Sequence, residues 1–87
     1  METKEFKIKL KDGIDAKLLS KIINLASTFD SKIFFATSGE KADAKSLINL
    51  MSLNFIHNEK LVIEADGWDE PIAVREIQKL LEENQVI

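Results

Sequence analysis

The chain has 87 residues, of which 45% are hydrophobic and 31% charged, with no cysteine and a formal net charge of −3. This length predicts one small domain over residues 1–87 without room for a deep catalytic cleft, and the lack of cysteine excludes disulfides, thiolate metal sites and cysteine nucleophiles. We also expect no nucleic-acid partner, because neutralisation of phosphates supplies most of that affinity and the chain is acidic with no arginine cluster.

The first predicted element is a strand. Phe6, Ile8 and Leu10 are separated by lysines, and this period of two marks a half-buried strand with one lysine-rich, solvated face. Apolar residues at helical spacing then predict an amphipathic helix over about 16–28, with Asp15 directly before it.

The middle of the chain predicts a hairpin followed by a short apolar helix. Residues 33–36 form an apolar strand pattern, a Ser-Gly pair follows as a turn, and 41–44 provide the partner strand. Ser46 then precedes the short helix. Asn54 is placed to close that helix, because asparagine tolerates the left-handed cap conformation.

The last elements are a strand over 61–65 and a helix that Pro71 opens and that Asp69 or Glu70 can cap. The element order is therefore β-α-β-β-α-β-α. It predicts an α+β fold, an open-faced β-sandwich in which three helices cover one face of a four-stranded antiparallel sheet.

A catalytic nucleophile needs a base, and the base needs an orienting partner. The sequence shows no such combination of residues. The lone histidine, His57, lies in a polar loop between Asn54 and Lys60. It is either a phosphoacceptor or ligand, or a surface residue without a role, and a lone histidine without orienting partners favours the second interpretation. No glycine-rich phosphate loop, metal-ligand spacing or paired-carboxylate motif is present. We therefore predict a non-enzymatic protein without cofactor or metal. Trp68 is either a partner anchor or a cover for the edge of the core.

The location and partners follow from the distribution of charge and apolar residues. Residues 1–5 include the charged side chains of Glu2, Lys4 and Glu5, and no apolar run reaches membrane length. We therefore expect a cytoplasmic protein without a membrane partner. Residues 1–45 carry a net charge of +2 and residues 46–87 a net charge of −5. A surface for docking other proteins remains possible with this distribution of charge. We expect the protein to be a monomer.

Two segments resemble the signature regions of the HPr family, the phosphocarriers of the bacterial phosphoenolpyruvate-dependent sugar phosphotransferase system. The first segment is Gly13-Ile14-Asp15-Ala16-Lys17. The second, residues 45–53, reads Lys-Ser-Leu-Ile-Asn-Leu-Met-Ser-Leu. The resemblance extends over essentially the whole chain, and the predicted element order matches that of the family.

In the family the first signature is Gly-Ile-His-Ala-Arg-Pro, and its histidine receives phosphate from enzyme I. Asp15 stands at the position of that histidine, Lys17 at that of the arginine and Leu18 at that of the proline, with Ala16 and Lys17 as neighbours of the phosphate site. The resemblance thus implies a member that cannot perform the histidine phosphorelay, similar to the catabolite-repression HPr proteins (Crh). Lysine also lacks the planar fork with which arginine binds phosphate.

Three roles are open to Asp15. It is an N-cap of the first helix, or a permanent negative charge that imitates phosphohistidine, or a non-standard phosphoacceptor in a true phosphocarrier. The last role requires a divalent cation to offset charge repulsion, and the sequence indicates no site for one.

The second signature implies a regulatory role for Ser46. In similar proteins of Gram-positive bacteria an ATP-dependent HPr kinase/phosphorylase phosphorylates the matching serine, and the product acts with a catabolite control regulator. The resemblance therefore implies that Leu47, Ile48 and Met51, together with Lys17, bind protein partners of this kind or proteins of the phosphotransferase system. Leu47 is equally suited to the core, and Ser46 to a simple helix cap.

A further alternative keeps the fold and drops the sugar system. A ferredoxin-like α+β module that binds a small ligand or a metal has the same element content, because fold does not dictate function.

Overall fold

The computed structural model describes all 87 residues. It contains the seven elements that the sequence predicts, in the predicted order. They are β1 (Glu2–Lys7), α1 (Ala16–Ala26), β2 (Lys32–Thr37), β3 (Glu40–Asp43), α2 (Leu47–Met51), β4 (Lys60–Asp66) and α3 (Glu70–Glu83).

The four strands form one antiparallel sheet in the order β1-β4-β2-β3. Side chains alternate between the two faces of a strand, and Ile33, Phe35 and Ile63 on one face are fully buried. All three helices contribute to the 19-residue core cluster on that side. The predicted open-faced sandwich is therefore confirmed. None of the helices combines the length and the apolar character needed to cross a membrane.

The first strand lies nearer the amino terminus than the alternation predicts. The pattern indicated a strand over Phe6–Leu10, whereas β1 ends at Lys7. Ile8 still donates to the carbonyl of Glu59 at 2.9 Å, but the N–H of Lys9 turns to the carbonyl of Val86 at 2.7 Å. The alternation of burial persists through this segment, with Ile8 buried, Lys9 exposed and Leu10 partly buried.

The end of α2 differs from its prediction. Ser52, not Asn54, is the C-cap, and it has right-handed backbone angles. The last turn is tightened by hydrogen bonds from Ser52 N to the carbonyl of Asn49 at 3.1 Å and from Leu53 N to that of Leu50 at 3.2 Å. Such three-residue bonds satisfy the last carbonyls without a left-handed residue. They also let Leu53 turn into the core.

The loop before β2 is held by the carboxylate of Asp69, which the sequence analysis had considered as a cap of the last helix. Asp69 occupies the N-cap position of α3 but makes no capping hydrogen bond. Its buried carboxylate instead accepts from the backbone N–H groups of Asp30 at 2.8 Å and Ser31 at 3.0 Å, and from the Ser31 hydroxyl. A β-carbon at Gly67 would lie 2.7 Å from the α-carbon of Ser31, so only glycine fits there.

These hydrogen bonds lower the pKa of Asp69. The Ser31 hydroxyl has the largest effect and the backbone N–H groups add to it, while burial of the carboxylate opposes them. A group whose pKa is lower in the folded state stabilises the fold above its unfolded value, and this contribution is lost as the pH falls through the folded value. For Asp69 the loss falls below about pH 4.

We predict that Asp69→Asn lowers stability at pH 7 and weakens the dependence of stability on pH below about 4, because the amide cannot accept all three hydrogen bonds and does not titrate. Urea unfolding midpoints between pH 3 and pH 7 measure both effects. Asp66→Asn is the matched control, since Asp66 is an exposed acid at the end of β4, three residues before Asp69. An acid dependence of Asp69→Asn identical to that of wild type would contradict the prediction.

Candidate functional site

Asp15 begins α1 and caps it. Its backbone is extended (φ −79°, ψ 168°), and its Oδ1 accepts a hydrogen bond from the N–H of Leu18 at 2.8 Å. The predicted N-cap geometry is therefore confirmed. The side chain is otherwise exposed, and its second oxygen has no hydrogen bond to the protein. Asp15 thus places a carboxylate at the surface in addition to starting the helix.

The surroundings of Asp15 are basic but do not form a metal site. A shallow groove of about 290 Å³ contains Asp15, Lys17 and Lys21 in its wall. Ala16 is exposed beside them. No three side chains of histidine, aspartate or glutamate lie close enough to hold a metal ion together. A carboxylate acceptor at Asp15 would have to receive its divalent cation with the phosphoryl donor.

Ser46 begins α2 in the same way. Its backbone is extended (φ −115°, ψ 118°), and its Oγ accepts from the backbone N–H of Asn49 at 3.3 Å and from the side-chain amide of Asn49 at 3.0 Å. The sequence analysis placed Asn49 within the second signature without a role, and the structure turns its side chain back towards the serine. Ser46 is partly buried as a residue, and the hydrogen bonds that its hydroxyl oxygen accepts come from Asn49 alone.

The exposed face of α2 is apolar. Ile48 is 80% exposed, Met51 64% and Leu47 46%, whereas Leu50 and Leu53 are buried. This division agrees with the helical spacing, which allows Leu50 and Leu53 to face the sheet. Three large apolar side chains on five residues of helix form a surface patch of a kind that marks protein interfaces. We call Leu47, Ile48 and Met51 the α2 patch.

The α2 patch and the start of α1 border one surface. A second groove of about 260 Å³ has in its wall both Gly13 and Ile14, which precede Asp15, and Met51 of the α2 patch. Ile56 also lines this groove and is half-exposed. Sequence analysis did not assign Ile56, because the adjacent apolar residues Phe55 and Ile56 in a loop have no period that would mark their direction.

The remaining sequence candidates lie in other surroundings. His57 is exposed, and its Nδ1 lies 3.1 Å from the carbonyl oxygen of Lys9. Trp68 is 78% exposed, so it does not cover the edge of the core. Lys45, beside Ser46, donates from its ammonium to the carbonyl of Phe29 at 2.7 Å, which ties the start of α2 to the loop before β2.

Comparison with known proteins identifies relatives along nearly the whole chain. A family model described as "PTS HPr component phosphorylation site" matches residues 2–83. The phosphocarrier protein HPr of Mycoplasma genitalium is 44% identical over 87 residues, covering 97% of this chain and 99% of that protein. The phosphocarrier protein HPr of Mycoplasma pneumoniae is 39% identical, with the same coverage of both chains.

Solved structures share the fold. A histidine-containing phosphocarrier protein from Mycoplasma superposes with a TM-score of 0.92 at 26% identity, covering 99% of this chain and 98% of the other. Crh, the catabolite repression protein of Bacillus subtilis, superposes with a TM-score of 0.75 at 29% identity, covering 95% of each chain. The same architecture therefore occurs in a histidine-containing carrier and in a catabolite-repression protein.

We predict that Asp15→Ala destabilises the protein by about 0.5–2 kcal/mol, because the first turn of α1 loses its capping acceptor. Asp15→Asn retains an acceptor oxygen for Leu18 and is the control, with a cost of only a few tenths of a kcal/mol. Urea unfolding at pH 7 measures both values. Equal destabilisation by alanine and asparagine would contradict the capping role.

Proposed function

The chain belongs to the HPr family of the phosphotransferase system, and we propose that it is a regulatory docking member of that family. In this proposal it does not perform the histidine phosphorelay, because Asp15 stands in place of the histidine that would carry the phosphate. The observation that supports this most is the α2 patch, which is exposed directly after Ser46 in the chain. A phosphorylatable residue beside an apolar docking surface is the arrangement that a switchable binding protein needs.

The proposal that the relay is absent rests on the chemistry of Asp15. An imidazole nitrogen accepts a phosphoryl group without metal assistance, whereas a carboxylate repels the incoming anion. One oxygen of Asp15 is also engaged by the N–H of Leu18. Lys17 supplies a point charge rather than the bidentate fork of arginine, so a transient phosphate at this place is held less well.

A permanent carboxylate at this place has a use of its own. Asp15 is exposed and lines the same groove as Lys17, and its second oxygen has no hydrogen bond to the protein. A partner that recognises a phosphorylated carrier meets negative charge here without any phosphoryl transfer. In the proposed role, Asp15 is therefore part of the recognition surface as well as a cap.

Ser46 is the proposed switch. The two hydrogen bonds that its hydroxyl oxygen accepts both come from Asn49, so the hydroxyl leaves the cap at the cost of contacts with a single residue. Phosphorylation adds roughly 1.5 to 2 negative charges beside Leu47 and Ile48. The electrostatic field at the edge of the α2 patch then changes while Leu50 and the rest of the core stay packed, so docking is switched without refolding.

The proposed partners are proteins. An HPr kinase/phosphorylase modifies Ser46, and a catabolite control regulator or proteins of the phosphotransferase system contact the α2 patch and Lys17. Apolar side chains at the centre of such an interface supply most of the binding energy, and the neighbouring charges determine which partner is accepted.

We predict that incubation with ATP and an HPr kinase/phosphorylase adds one phosphoryl group to the wild-type protein and none to Ser46→Ala. Intact-mass spectrometry measures the addition. Ser52→Ala is the matched control, because Ser52 caps the other end of α2 and its loss should leave the addition unchanged. If the wild-type protein is not modified, Ser46 acts only as a helix cap and the proposed switch is contradicted.

We predict that phosphoenolpyruvate and enzyme I transfer no phosphoryl group to the wild-type protein. The same mass measurement, in the presence of Mg²⁺, tests this, with a histidine-containing HPr as the positive control. Transfer to wild type that disappears in Asp15→Asn would establish the alternative function, a phosphocarrier that uses Asp15.

A further inference from the structure

Trp68 is a rigid aromatic side chain on the surface. It is the only tryptophan of the chain, and it is 78% exposed. Its indole Nε1 donates to Oδ2 of Asp30 at 2.9 Å, so the ring is held by its edge while its faces remain open. An exposed aromatic ring that is already oriented loses little conformational entropy when a partner binds.

The backbone on both sides of this hydrogen bond is also fixed. The buried carboxylate of Asp69, the residue after Trp68, accepts from the N–H groups of Asp30 and Ser31. Gly67, the residue before Trp68, packs directly against Ser31. Residues 67–69 and residues 30–31 are therefore bound to each other, and both segments hold Trp68 in place.

The chain around Trp68 is acidic. Residues 61–74 contain four acidic residues and no lysine or arginine. Asp66 is exposed two residues before Trp68, and Asp30 holds the indole itself. This stretch of chain therefore differs from the groove beside Asp15, whose wall contains two lysines.

The nearby cations leave the indole faces uncovered. The ammonium of Met1 lies 3.2 Å from Glu70 and 3.9 Å from Asp66. Lys32 is opposite Asp66 in the sheet. One cation of the protein does stack on an aromatic ring, that of Lys41 on Phe34 at 4.7 Å from the ring centre, but none stacks on Trp68.

We propose that Trp68, with Asp66 and the half-exposed Ile72 in the first turn of α3, is a second docking surface that accepts a basic segment of a partner protein. An arginine of that segment stacks on the indole face, and its guanidinium pairs with the carboxylate of Asp66. Tryptophan is the best aromatic partner of a cation, and a stacked guanidinium still presents N–H groups to a carboxylate. Neighbouring apolar side chains of the segment contact Ile72.

This surface has no residue in common with Asp15, Ser46 or the α2 patch. It does not depend on the proposed regulatory function, and a partner here and a partner at the α2 patch differ in the charge that they must carry.

The test uses a capped synthetic peptide in which a central leucine has two arginines on each side. The control is the same peptide with neutral citrulline in place of every arginine. Peptide is titrated into ¹⁵N-labelled protein at low salt while amide and indole N–H signals are recorded. We expect saturable shifts at the Trp68 indole and across residues 66–72, and affinity about three- to fivefold higher for the arginine peptide. Added salt should reduce the difference between the peptides.

Three variants distinguish the contacts. Trp68→Ala should abolish the shifts, Trp68→Phe should retain part of the binding because an aromatic face remains, and Asp66→Asn should reduce the preference for arginine. Circular dichroism establishes that each variant is folded. Equal binding of both peptides, undiminished binding to Trp68→Ala, or shifts confined to the α2 patch would overturn the proposal. Shifts at Trp68 that depend on protein concentration without peptide would overturn it in favour of a second copy.

Discussion

The structure depends on burying one face of a four-stranded sheet under three short helices. A chain of 87 residues has few apolar side chains with which to do this, and every helix must direct its apolar stripe at the sheet. The 5-residue α2 has only about one and a half turns, so it cannot direct all its apolar residues inward. Leu50 is buried, while Ile48 and Met51 remain outside. The exposed α2 patch is thus a consequence of covering the sheet with a helix that is both short and apolar.

The polar residues at the starts of α1 and α2 also have two roles each. Asp15 and Ser46 each accept a hydrogen bond from a backbone N–H that has no partner within its helix. Each also lies at the surface or close to it, so the residue that starts the helix determines the charge at the edge of the docking surface. A change at either position therefore alters helix stability and recognition together, and the variants that retain a capping acceptor are needed to separate the two effects.

The end of the sheet that carries Trp68 is organised by longer-range contacts. The carboxylate of Asp69 binds a loop 38 residues earlier in the chain, and its neighbour Trp68 binds the same loop. This loop also receives the ammonium of Lys45. Contacts of this kind hold side chains in fixed directions at the surface, and a fixed aromatic ring among acidic residues differs in chemistry from the apolar α2 patch. One small domain thus presents two surfaces of opposite character.

The type and order of the elements were determined by the sequence alone, because strands and helices leave periods of two and 3.6 in the chain and both periods are local. Local chemistry also determined the cap at Asp15. Tertiary structure decided where β1 ends, since Lys9 turns to Val86. It likewise decided that Asp69 binds Ser31 rather than capping α3, and that Trp68 points outward. Hydrogen bonds to distant partners compete with local ones at these positions, and no local pattern records which partner the folded chain brings within reach.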